Sequence, residues 1–440
     1  MTTRVLLLST YELGHQPLHL ASPLAFFAAA GLEARAIDLA VAPLDEEAVR
    51  AASFVAIAVP MHTALRLGAE VGARCKQLNP RARLCYYGLY APLNRDYLVA
   101  HGADAIVGGE YEAALVELAR GGAAPDVVLD RLRFLAPARA ALPALDRYAR
   151  LETADGARLA GYVEASRGCL HHCRHCPIPP VYGGRFFVVP VDVVVADASA
   201  QIAAGARHLT LGDPDFLNGP KHALAVARAL HAAHPNVTFD VTVKIEHILR
   251  HSELFAELGA LGCAFVVSAV ESLSDRVLAI LDKGHTRADV DAALAILDEA
   301  RVPLRPTFVP FTPWSTLDDY LALVDWIDAR GMVEHVDPIQ LAIRLLIPPG
   351  SLLLAHPETL PHLGALEPAK LSYAWTHPDP RMDRLAHEVF AAVEGGATFA
   401  DVRALAEAAA SRSPHAARTA PLEHKTVRGR PPRLSESWFC

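Results

Sequence analysis

Five short apolar runs punctuate the first part of the chain, at 4–8, 33–37, 53–59, 83–87 and 104–107. They are rich in Val, Ile and Leu with little polar alternation, the pattern of strands covered on both faces. Stretches of helical composition separate them, near 22–30, 46–52, 63–77, 95–101 and 111–121. Five such βα units predict a flavodoxin-like, doubly wound parallel sheet. Ligands of such sheets lie beyond the carboxyl ends of the strands. Those loops are 9–18, 60–62, 88–94 and 108–110.

Residues 121–160 are rich in Ala, Arg and Pro and read as a connector. A second alternation then begins, with strands expected at 161–165, 208–211, 238–243, 264–268, 304–309 and roughly 336–346. Helix-length segments such as 191–204, 221–234 and 316–330 bridge them. Six βα units of this kind predict a (β/α)6 partial barrel. Near residue 360 the pattern weakens, 386–410 is helical in composition, and 411–432 reads as a mobile tail. The expected organisation is a Rossmann-like domain over 1–125, a linker over 126–157, a barrel over 158–350, and a helical extension with a flexible tail over 351–440.

The chain has 440 residues, 52% of them hydrophobic and 20% charged, enough apolar material for sizeable cores. Lys and Arg number 41 against 49 Asp and Glu, and the net charge of −8 argues against a nucleic-acid partner. No apolar run approaches the roughly 18 residues of a membrane span. Residues 1–13 hold one Arg, a short apolar stretch and no small-residue cleavage site, so a cytoplasmic protein without membrane contact is expected. Seven cysteines, Cys75, Cys85, Cys169, Cys173, Cys176, Cys263 and Cys440, are too few and too uneven for a disulfide framework.

Three of the seven fall within eight residues, in the segment Ser166-Arg-Gly-Cys169-Leu-His-His-Cys173-Arg-His-Cys176-Pro177. Thiolates spaced by three and then two intervening residues can wrap one inorganic centre, either an iron–sulfur cluster or zinc. A structural zinc site would take a fourth ligand from His171, His172 or His175, whereas a cluster with one open iron needs only the three cysteines. The segment follows the first barrel strand, and in parallel barrels that loop lies at the catalytic face.

CxxxCxxC in that position resembles the radical S-adenosylmethionine (SAM) superfamily. The resemblance, over about 158–350, implies that Cys169, Cys173 and Cys176 hold a 4Fe–4S cluster whose fourth iron chelates SAM. It implies reductive cleavage of SAM to methionine and a 5′-deoxyadenosyl radical, which modifies a substrate the sequence does not identify. It also implies an electron donor such as flavodoxin or ferredoxin. The residue before the third cysteine is usually aromatic; here it is His175, whose imidazole can stack on adenine. Asp213, in Gly212-Asp-Pro-Asp-Phe216, resembles the residue that meets the SAM amino group, and Glu271, in Ser-Ala-Val-Glu-Ser272, a second SAM ligand. Lys244 and Arg344 are candidates for the SAM carboxylate. Lys283-Gly-His-Thr286 recurs in relatives and is given no chemistry.

A flavodoxin-like domain ahead of such a barrel resembles the cobalamin-binding radical SAM group, which implies a corrinoid across the strand ends. The Asp-x-His-x-x-Gly cobalt-ligating motif is absent; His15 and His19 lie in the first loop at other spacing. Gly88, Gly108 and Gly109 sit where relatives carry small residues that let a corrin approach, and a degenerate domain without a cofactor is the alternative. Neither GxGxxG after the first strand nor GxxxxGK[ST] is present, which argues against NAD and nucleoside triphosphates. The ending Ser-Glu-Ser-Trp-Phe-Cys440 resembles radical SAM chains that end Cys-Sec-Ala-Glu-Pro or Cys-Cys-Ala-Glu-Pro, and implies a selenocysteine codon read as a stop after Cys440. A non-catalytic cluster or corrinoid sensor and a structural zinc protein remain as alternative functions.

Overall fold

A computed structural model describes residues 4–410 and 428–436. Six parallel strands form the N-terminal sheet: β1 (Val5–Ser9), β2 (Ala34–Asp38), β3 (Phe54–Ala58), β4 (Arg83–Tyr87), β5 (Ala105–Gly109) and β6 (Val127–Val128). Their order is β2-β1-β3-β4-β5-β6, so the direction of winding reverses between β1 and β3. Alternate side chains of β1 feed two layers. Val5 and Leu7 pack with Leu20, Leu24 and Phe27 of the helix Leu18–Ala29. Leu6 and Leu8 pack with Leu65 and Cys75 of the helix His62–Leu78 on the other face. This is the doubly wound arrangement that the uninterrupted apolar runs predict. The short β6 lies within the stretch read as linker and pairs with the end of β5.

The second sheet contains β7 (Arg150–Thr153), β8 (Gly156–Val163), β11 (His208–Leu211), β12 (Thr238–Thr242), β13 (Cys263–Glu271), β14 (Leu304–Phe308) and β17 (Arg433–Leu434). Its order is β14-β13-β12-β11-β8-β7-β17, with β8 and β11 to β14 parallel and β7 and β17 antiparallel additions at one edge. Leu209, Leu211, Val241 and Val266 pack beneath the surrounding helices. The alternate positions His208, Thr210 and Asp240 are also buried, and hydrogen-bond one another across the opposite face. β9 (Ser166–Gly168) and β10 (Phe186–Val188) form a small antiparallel ribbon at the mouth, and β15 (Leu363–Glu367) with β16 (Ser372–Trp375) a hairpin in the C-terminal extension.

The strand expected over 336–346 is replaced by a 3₁₀ turn, Pro338–Leu341, and a single bridge between Phe311 and Arg344. Pro338 has no N–H for a ladder. The Gln340 side chain instead accepts from the Phe308 amide at 3.0 Å, taking the place of a sixth strand beside β14. Of the stretch read as a mobile tail, 411–427 lies outside the described residues, and the segment that follows it is docked. Arg428 pairs with Asp298, β17 pairs with β7, and Leu434 is buried beside Leu151, Phe265 and Val267. The Tyr11 hydroxyl then donates to Glu436 at 2.9 Å, which joins this segment to the N-terminal domain. Cys440 lies outside the described residues.

Candidate functional site

The cysteine loop leaves β9 at the carboxyl ends of the parallel strands. Its root is pinned by the β9–β10 ribbon and by Gly168, whose φ of 74° is left-handed. A Cβ there would fall on the Arg185 carbonyl oxygen and the Tyr182 ring. Farther along, the Arg174 amide donates to the Leu281 carbonyl at 2.9 Å, and Ser351 donates to the Arg174 carbonyl. The cysteines are thus held from both sides by barrel elements.

Cys169 and Cys173 are buried and Cys176 is partly so. Asn218 donates to the Cys169 sulfur at 3.6 Å and accepts from the Leu170 amide at 3.3 Å. Burial pushes the Cys176 thiol up to about 12, and the neighbouring Cys173 and Cys169 add to the effect. Three buried or half-buried thiols on one loop, one of them accepting from Asn218, suit an inorganic centre of the iron–sulfur or zinc kind.

Glu271 ends β13 at φ 67°, where the register with β14 shifts. That bulge turns its carboxylate toward the cysteine loop: His175 Nε2 lies 3.1 Å and Lys283 Nζ 3.5 Å from Oε1. Burial opposes ionisation of Glu271, but Lys283 and His175 outweigh it and hold the carboxyl down at about 2. Lys244 precedes the helix Ile245–Arg250, buried, with Nζ 3.6 Å from Glu246. His285 is buried beside these groups with neither ring nitrogen partnered, and burial together with Lys283 and Lys244 pushes its pKa down to about 4.

Two expected SAM contacts are otherwise engaged. Asp213 accepts from the Ala165 amide at 3.0 Å and from the Ser166 hydroxyl, so it braces the root of the cysteine loop. Burial pushes its carboxyl up to about 7. Arg344 pairs with Asp383 at 2.6 Å, donates to the Trp375 carbonyl and stacks on the Trp375 ring at 3.6 Å, so its partners belong to the C-terminal extension. Sequence reasoning missed Asn218, Asp215, His247, Lys283 and His285 as members of this site. Position after β11 or β12 was an available signal for the first three.

The mouth of the barrel also meets the N-terminal domain. Arg167 of β9 pairs with Glu112 at 2.8 Å, Glu164 at 2.8 Å and Glu110 at 3.5 Å, all buried or nearly so, and lies over Tyr111 and Phe134. Burial pushes the Glu110 carboxyl up to about 7, with Arg167 pulling the other way. Next to this cluster a cavity of about 190 Å³ is lined by His15, His19, Tyr111, Tyr162, Arg167 and Tyr182 among others. His15 Nε2 is buried there without a partner. Gly109 lines this space, and a Cβ on it would fall on the Val128 carbonyl, while one on Gly108 would meet Pro92.

Residues 163–327 match the family model described as Radical SAM superfamily. A curated relative, the ribosomal protein uS12 methylthiotransferase RimO of Alkalilimnicola ehrlichii, is 26% identical over 213 residues, covering 43% of this chain and 47% of that protein. The match thus spans less than half the length of the relative. The structure of the radical SAM methyltransferase TsrM from Kitasatospora setae, with cobalamin and a [4Fe-4S] cluster bound, superposes with a TM-score of 0.58 at 18% identity over 74% of this chain and 73% of that one. The cobalamin-dependent SAM radical enzyme OxsB, with aqua-cobalamin and SAM bound, superposes with a TM-score of 0.66 at 12% identity over 88% of this chain and 66% of that one. Both likenesses are of fold.

Proposed function

We propose that this chain, whose residues 163–327 match the radical SAM family model, is a radical SAM enzyme that binds a 4Fe–4S cluster on Cys169, Cys173 and Cys176 and SAM beside it. The observation that carries the reading is the cysteine loop itself: three thiols fixed at the carboxyl ends of the parallel strands, beside a Glu271 carboxylate that Lys283 and His175 hold ionised. When bound there, such a cluster supplies the single electron that cleaves SAM to methionine and a 5′-deoxyadenosyl radical.

The chain's own residues prepare that event. Asn218 places a donor on the Cys169 sulfur, which favours the thiolate. Glu271, held ionised, accepts from the SAM amino group, and Lys244 or Lys283 faces its carboxylate through charge-assisted hydrogen bonds. His175 lies between the cluster loop and Glu271, where its ring can cover the adenine. Asp213 acts as a positioning residue for Ala165 and Ser166. An external one-electron donor, of the flavodoxin or ferredoxin kind, completes the cycle.

A corrinoid is the second cofactor of this reading. The fold shared with two cobalamin-containing structures, the interdomain cavity at the strand ends and the unpartnered His15 Nε2 support it. The chain's part in holding such a group would be played by His15, His19 and the tyrosines that line this cavity.

The test is anaerobic reconstitution with iron and sulfide, then SAM and dithionite, with and without hydroxocobalamin, beside Cys173→Ala. The reading predicts 5′-deoxyadenosine, or S-adenosylhomocysteine if a methyl group is passed on, from the native chain and neither from the variant. Neither product from protein shown to hold iron and sulfide overturns it and favours a sensor.

A further inference from the structure

Next to the cysteine loop lies a second cluster of ligating side chains that the proposed chemistry does not use. His171 comes from the loop itself, Asp215 from the turn after β11, and His247 from the helix after β12. His171 Nε2 and His247 Nε2 are 3.3 Å apart, and Asp215 Oδ2 is 3.6 Å from the former. One ligand atom from each of the three residues can be chosen so that all lie within 4.8 Å of one another, close enough to close on a single ion, whose tetrahedral donors stand roughly 3.3 Å apart.

The hydrogen bonding carries a second observation. Asp215 is fully buried and His247 is 4% exposed. Asp215 Oδ2 and His247 Nδ1 lie 2.7 Å apart, with His171 Nε2 3.6 Å from the same carboxylate oxygen, and neither atom makes a hydrogen bond elsewhere. A cation taking Asp215 Oδ2, His247 Nδ1 and His171 Nε2 would use both of these atoms as ligands. Asp215 Oδ1 is already fixed by the Leu217 amide, which leaves Oδ2 to face the histidines. Glu246 Oε2 lies 3.6 Å from His171 Nδ1, placed to orient the ring from behind.

The geometry points to a mononuclear site for a divalent first-row transition ion, Zn²⁺ or Fe²⁺, held by His171, Asp215 and His247. Two imidazoles and one carboxylate suit these ions and not Mg²⁺ or Ca²⁺, which prefer all-oxygen ligands. An ion here would tie the middle of the cysteine loop to the ends of β11 and β12. The inference needs neither the cluster nor SAM.

The experiment uses cluster-loaded protein incubated with one equivalent of Zn²⁺, desalted, and assayed for zinc, iron and sulfide. The native chain is expected to retain one zinc per chain on top of its iron and sulfide. Asp215→Asn and His247→Gln are expected to lose the zinc while their iron and sulfide stay unchanged. As a measurement independent of any variant, Co²⁺ added to the cluster-loaded chain and read as the difference from the cluster spectrum should show visible d–d bands without a thiolate charge-transfer band. No retained zinc, equal zinc in the variants, or a thiolate band on Co²⁺ overturns the site. Failure of SAM cleavage leaves all of these readouts intact, so the two proposals fail separately.

Discussion

Single carboxylates in this site are set in opposite directions by what surrounds them. Glu271 is ionised because Lys283 and His175 outweigh its burial, whereas Asp213 is pushed up to about 7 because burial dominates and only neutral donors oppose it. For Asp213 the folded value lies above the ordinary 3.8. Its contribution to stability is therefore fully present below that value and is lost as pH rises through about 7. Each unit of such a shift is worth about 1.4 kcal/mol, so the change is on the order of a few kcal/mol. Asp213→Asn keeps an acceptor for Ala165 and stays neutral. It should flatten the decline of the melting temperature between about pH 4 and 7, the window between the ordinary and the folded value, as read by thermal melts across that range. At Glu271 the expected loss is of ligand affinity. Glu271→Gln should retain iron and sulfide but bind SAM roughly 10–100-fold more weakly, the worth of about 1.5–3 kcal/mol for a hydrogen bond to a charged group. Equilibrium dialysis against SAM measures this, and unchanged affinity would remove Glu271 from the site.

At the scale of elements, the cysteine loop depends on a short strand and one left-handed glycine. Gly168→Ala places a methyl group on the Arg185 carbonyl and strains a φ of 74°. A cost on the order of 1–3 kcal/mol in stability is expected, together with a reduced iron content after reconstitution. The five strands of the first sheet were legible because both their faces are buried, so apolar runs such as Leu6–Leu7–Leu8 stand out. The sixth barrel strand was misread because 336–346 is apolar enough for a strand, yet Pro338 and the side-chain bond from Gln340 make a turn of it. The three cysteines stand out as candidate ligands by spacing alone. Asp215 and His247 do not, because only the fold brings them beside His171 from loops distant in sequence.

At the scale of the molecule, the N-terminal domain and the barrel meet through buried charge. Arg167 sits one residue from the glycine that starts the cysteine loop and binds Glu110 and Glu112 of the first domain. A buried ion pair is weak evidence of net stability, but removing one partner strands the others. Arg167→Gln should cost roughly 3–5 kcal/mol, read by chemical denaturation. Arg139 adds a second tie, pairing with Asp197 at 2.8 Å while donating to the carbonyls of Gln16 and Tyr162. Among the described residues no helix is long and apolar enough to cross a membrane.

The central claim is that Cys169, Cys173 and Cys176 hold a cluster with one iron open to SAM. Low-temperature electron paramagnetic resonance of the dithionite-reduced, reconstituted chain tests it most directly, before and after SAM is added. The account predicts a reduced-cluster signal whose g-values shift on addition of SAM and which is lost in Cys173→Ala. An unchanged spectrum with SAM, from protein that gives the reduced signal, would contradict it.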